Sequence, residues 1–96
     1  MSQSEGLNET HIPVSFTQFV VSLVQSTMVH LGEAPNPETG SKNLNLGLAR
    51  DTIDVLNMLK EKTEGNRTED ETRMLNTLLH EIRTKFLTAS GSYSRR

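Results

Sequence analysis

The sequence predicts an all-α chain of three helices: one strongly apolar helix followed by an antiparallel helical hairpin, the fold completed by dimerisation. Three observations predict it. Apolar residues recur at helical spacing in three separate stretches, each stretch opens on a capping residue, and no alternating strand pattern competes anywhere in the 96 residues. The domain organisation follows: a disordered arm over residues 1–12, one helical domain over 13–88 and a flexible tail over 89–96. Helices are expected at about 16–31, 46–63 and 69–88, with a loop over 32–45.

The first helix opens at Ser15, a capping residue, with Gln18 three positions on to complete a capping box and Val14 placed to staple against Phe19. Gly32 ends it. At about 100° per residue, Phe19, Leu23, Phe16, Val20, Leu31, Val24, Met28 and Val21 sweep an arc of roughly 200°. A surface helix typically buries a stripe little wider than 100°. That excess predicts self-association through Phe16, Phe19, Val20, Leu23, Val24, Met28 and Leu31. The alternative is a monomer in which this helix sits centrally, flanked by both hairpin helices and covered elsewhere by the loop.

In the loop, Asn36-Pro37-Glu38-Thr39-Gly40 suits a type I turn starting at Pro37 or one residue earlier. Its length of about twelve residues is enough to cross from one end of a bundle to the other. The second helix has Asn45 as cap and places Leu46, Leu48, Ala49, Thr52, Ile53, Leu56 and Leu59 on one face, with Val55 at the edge. Gly65-Asn66 is its exit. Thr68 and Glu71 form a capping box for the third helix, in which Met74, Leu75, Leu78, Leu79, Ile82 and Phe86 share an arc of about 140°. Glu69, Asp70 and Glu71 sit in its first turn and Arg83 and Lys85 near its last, as the helix dipole favours.

Composition excludes several function classes. With ten basic and twelve acidic residues the net charge is −2, and no cationic field of the nucleic-acid-binding kind exists. The terminal Arg83, Lys85, Arg95 and Arg96, with Tyr93, fall short of such a surface. There is no cysteine, so disulfides, thiolate metal sites and thiol nucleophiles are excluded. No Lys or Arg precedes Lys42, so the leader of a secretory signal is missing and the cytoplasm is the expected compartment. A membrane fits badly: sixteen helical residues span about 24 Å, short of the roughly 30 Å hydrocarbon core. Asn8-Glu9-Thr10 and Asn66-Arg67-Thr68 match the glycosylation triplet, but the second reads better as a helix cap.

Catalytic patterns are lacking as well. No nucleophile elbow, phosphate-cradling loop or paired-histidine metal motif occurs. His30, beside Glu33 and Glu38, is the one candidate ligand or base, and a histidine at a helix end otherwise packs there and caps the last carbonyls. His80 is expected to face solvent, and His11 lies in the arm. No cofactor, no metal and no enzyme activity are expected. The candidate partner or ligand loop comprises His30, Glu33, Pro35, Pro37, Glu38 and Gly40.

Several blocks carry a family resemblance. P-V-S-F-T-x-F (Pro13 to Phe19), H-L-G-E-A-P-x-P-E-T-G (His30 to Gly40), L-A-R-D-T-I-D-V-L-x-M-L-K-E-K-T-E-G-N (Leu48 to Asn66) and L-L-H-E-I-R (Leu78 to Arg83) resemble the small bacterial family called domain of unknown function 1844. The resemblance spans about residues 13–87. It implies a compact helical cytoplasmic protein and carries over no activity, cofactor or catalytic residue. The leading expectation is a non-enzymatic, self-associating protein-interaction module, a homodimer first, with room for another protein partner. The alternative is a small-molecule or metal-binding protein with a site between the first helix and the Glu33–Gly40 loop.

Overall fold

The computed structural model describes residues 14–91, so the expected arm, with His11, and Tyr93, Arg95 and Arg96 lie outside the described residues. Three helices follow in order: α1 (Phe16–His30), α2 (Leu46–Lys62) and α3 (Glu69–Ser90). Each starts where a side chain can satisfy an orphan backbone N–H. The Gln18 N–H donates to Ser15 Oγ at 3.0 Å and the Leu48 N–H to Asn45 Oδ1 at 3.0 Å. At α3 the full box closes, with the Glu71 N–H donating to Thr68 Oγ1 and the Thr68 N–H to Glu71 Oε1. At α1 only the Ser15 half of the box forms. The expected staple is not made, because Val14 stays 80 % exposed.

All three helices touch one another, which closes a core within a single chain. Val20 and Val24 of α1, Ile53 and Leu56 of α2, and Leu75, Leu79 and Ile82 of α3 are buried together. Each fully buried aliphatic side chain contributes about 1.5–3 kcal/mol. Phe16, Leu23, Met28, Met74, Leu78 and Phe86 pack around them, half-buried. α1 is thus flanked by both hairpin helices, while Phe19 and Val21 on it stay exposed. Between α1 and α2 the Thr27 hydroxyl donates to Thr52 Oγ1 at 2.8 Å.

Two expectations about helix ends are corrected. The sequence places the tail from residue 89, whereas α3 runs to Ser90 and ends on Gly91 with φ +66°. Arg83 and Lys85 consequently lie before the last turn and do not serve its dipole. Arg83 instead donates to Asn57 Oδ1 on α2, and Lys85 stands 3.8 Å from Glu33 beyond the end of α1. A further correction concerns Leu48, assigned above to the core face of α2; it is exposed.

Candidate functional site

The loop between α1 and α2 does not cross the bundle. It leaves the end of α1 and comes back to it. Gly32, at φ +76°, adopts the left-handed conformation that lets the Gly32 N–H reach the Val29 carbonyl and the Glu33 N–H the Met28 carbonyl. This is the paired hydrogen-bond pattern of a Schellman ending. The chain then returns through a bridge between Leu31 and Leu44 and through the Asn45 N–H, which donates to the His30 carbonyl at 2.7 Å. Both ends of the loop are thereby fixed to one turn of α1.

Asn36 shapes the middle. Its Oδ1 accepts the Glu38 N–H at 2.7 Å, its carbonyl accepts the Gly40 N–H at 2.7 Å, and its own N–H donates to the Ser41 carbonyl. The turn falls where the sequence places it, but it closes from Asn36 to Gly40, one residue wider than a type I turn. Gly40 takes φ +77° to do so.

The folded-back loop lies alongside the polar face of α1 and forms with it a groove of about 490 Å³. Ser22, Gln25, Ser26, Val29 and His30 line one side and Asn36, Pro37 and Glu38 the other. Ser22 is already engaged, its hydroxyl donating to the Phe19 carbonyl at 2.7 Å. The Gln25 amide, the Ser26 hydroxyl, the His30 imidazole and the Glu38 carboxylate remain for a ligand. Such a set offers hydrogen bonds and a single carboxylate, which suits binding a small polar molecule.

Of the loop residues picked out from sequence, the structure brings His30, Pro37 and Glu38 together in this groove. Glu33 instead faces Lys85 on α3. Pro35 and Gly40 are exposed outside the groove's lining. The His30 imidazole does not cap the helix end; the His30 backbone carbonyl takes the Asn45 N–H instead. Among the described residues no group of three or more His, Asp or Glu side chains could hold a metal ion. His80 is exposed, as its position on α3 predicts.

The residues assigned to a self-association face divide by burial. Val20, Val24 and Leu31 are core residues of this chain and cannot reach a partner, which corrects that part of the assignment. Val20 and Val24 belong to the cluster that α2 and α3 close, and Leu31 pairs with Leu44 of the returning loop. Phe16, Leu23 and Met28 are half-buried against the same core, and Phe19 is exposed. Among the described residues no helix is long and apolar enough to cross a membrane.

Arg67 escaped sequence reasoning altogether. Its side chain is only 6 % exposed and clamps the α2–α3 connection. It donates to the Lys60 carbonyl at 2.7 Å, to Thr63 Oγ1 at 2.8 Å and to Thr72 Oγ1 at 3.1 Å. The only available signal was a lone arginine in a short connection just ahead of a cap, which is too common a pattern to single out.

No curated protein and no solved structure matches this chain. Residues 13–88 match the family model described as Domain of unknown function (DUF1844), a span that takes in α1, the folded-back loop, α2 and nearly all of α3, and the chain belongs to that family.

Proposed function

We propose that this chain is a non-enzymatic, self-associating helical interaction module that works first as a homodimer in the cytoplasm. One observation carries the reading. The core is closed, yet Phe19 on α1 is still 42 % exposed, and on α2 Leu48, Val55 and Met58 are 46 %, 36 % and 45 % exposed. Apolar residues grouped on a small domain mark a contact surface more often than singly scattered ones do.

Charge supports the same reading. Over Phe16–His30, α1 carries no Asp, Glu, Lys or Arg, so a partner meeting its exposed side desolvates no full charge there. Sedimentation velocity and native mass spectrometry over a concentration series test it. A species of twice the 10.7 kDa chain mass is expected at micromolar concentration. A single species at 10.7 kDa throughout overturns it.

The groove favours a second reading, a small-molecule-binding protein, because Gln25, Ser26, His30 and Glu38 line one concavity with no hydrogen bonds among their side chains. A molecule retained through native purification and released on denaturation supports this reading. Zinc or nickel titration followed by melting temperature tests its metal version, with His30→Ala as the control.

A further inference from the structure

The second helix carries two stripes. Ala49, Ile53 and Leu56 face the core. Leu48, Asp51, Val55, Met58 and Lys62 form the other, at successive spacings of three, four, three and four residues. That is the spacing of a coiled-coil seam, and every one of the five is exposed. Thr52, which meets Thr27 of α1, sets its direction. At about 100° per residue Val55 lies roughly 60° further round from Thr52 and away from Leu56. The stripe therefore runs along the outer side of α2, next to the α1 seam that holds Phe19.

Asp51 and Lys62 give it opposite charges on either side of Val55 and Met58. Asp51 and Lys62 stand about 16 Å apart along the helix and nearly in line. Neither makes an ion pair with another described residue. The segment between them, through Val55 and Met58, is apolar. Such a stripe is complementary to itself in one direction only. Laid antiparallel about a two-fold axis between Val55 and Met58, it sets Asp51 against Lys62 of the second copy twice, and Val55 against Met58 of the second copy twice. Laid parallel, it sets Asp51 against Asp51 and Lys62 against Lys62, and like charges repel.

We propose that the occupant of this stripe is a second copy of the chain, docked α2 against α2 in antiparallel orientation. The inference rests on the self-association reading above and names its surface. A contact along one helix stripe flanked by Phe19 is at the small end of specific interfaces.

Charge exchange tests it, read by sedimentation equilibrium at low salt. Asp51→Lys and Lys62→Asp each weaken dimerisation roughly tenfold, because symmetry doubles every contact. The combined Asp51→Lys/Lys62→Asp variant restores the wild-type affinity. Met58→Asp abolishes the dimer while circular dichroism keeps the helical signal of the unaltered chain, since Met58 is already exposed in one chain. If a dimer forms but ignores Met58→Asp and both single exchanges, the stripe is not its surface and the proposal falls while self-association stands. Failure of the combined variant to recover overturns the antiparallel pairing. A wild-type chain that stays monomeric overturns both, and leaves the stripe to a different protein.

Discussion

Thr27 of α1 donates its hydroxyl to Thr52 of α2 at 2.8 Å, inside the contact that fixes how the first two helices cross. Thr27 is fully buried, and Thr52 in turn donates to the Ala49 carbonyl at 2.9 Å. Thr27→Val keeps the volume and removes the donor, so it should destabilise the fold by about 1 kcal/mol. Thr52→Val should cost a similar amount. The double variant should cost less than the sum, because the Thr27–Thr52 hydrogen bond that each single change breaks can be lost only once. Urea denaturation of the four chains measures the cycle; strict additivity would contradict direct coupling.

Arg67 ties α2, the connection and α3 into one unit through a nearly buried guanidinium. Lysine lacks the planar fork that serves the Lys60 carbonyl, Thr63 and Thr72 together. Arg67→Lys is therefore expected to cost about 1–3 kcal/mol. Arg73→Lys, at an exposed ion pair with Asp70, should change stability by less than about 0.5 kcal/mol. Parallel thermal melts decide it, and equal effects would mean that the Arg67 cluster adds nothing to the hairpin.

Val55 and Leu56 are neighbours in sequence that face opposite environments. Leu56→Ala opens a cavity among Val20, Ile53, Leu75 and Leu79 and should cost about 2–5 kcal/mol. Val55→Ala should leave the stability of one chain within about 0.5 kcal/mol and lower only its tendency to associate. Denaturation at low protein concentration isolates the first effect, and sedimentation reads the second.

Gly32 occupies the left-handed region at φ +76°, where an added Cβ would find ordinary contact distances of 3.7–3.8 Å to Asn43 and Leu44. Space is therefore not the obstacle; backbone strain is. Gly32→Ala should cost about 1–2 kcal/mol, and Gly32→Asn less, since asparagine tolerates this conformation better. Faster amide exchange at Glu33 and Asn45 in the alanine variant would show that the loop loses its anchorage at the end of α1.

Much of this fold was legible because its signals are local. Ser15, Asn45 and Thr68 act on backbone groups three residues away, so their capping roles need no knowledge of the rest of the chain. The core residues of α3 were equally plain, Leu75, Leu79 and Ile82 repeating at helical spacing and landing buried. The apolar breadth of α1 was also real, but its meaning was not local. Whether Val20 and Val24 faced a second copy or their own hairpin depended on how α2 and α3 closed around them.

The candidate groove was half legible. The bend at Asn36–Gly40 follows from proline and glycine chemistry, and His30, Pro37 and Glu38 could be named in advance. That the loop returns to the end it left, and so sets Glu38 beside Gln25 and Ser26, rests on the Asn45 to His30 hydrogen bond between residues fifteen positions apart.

By itself, then, the sequence determined the three helices, their caps, their turns and the identity of the residues able to fill a core, because those follow from interactions within a few residues. Only the tertiary structure decided which apolar residues were used up. It buried Val20, Val24 and Leu31 of the α1 stripe, enclosed Arg67, turned Glu33 towards Lys85, and left Leu48, Val55 and Met58 of α2 outside. Burial is a property of how helices cross, and a helical pattern fixes which residues share a face without fixing what that face meets.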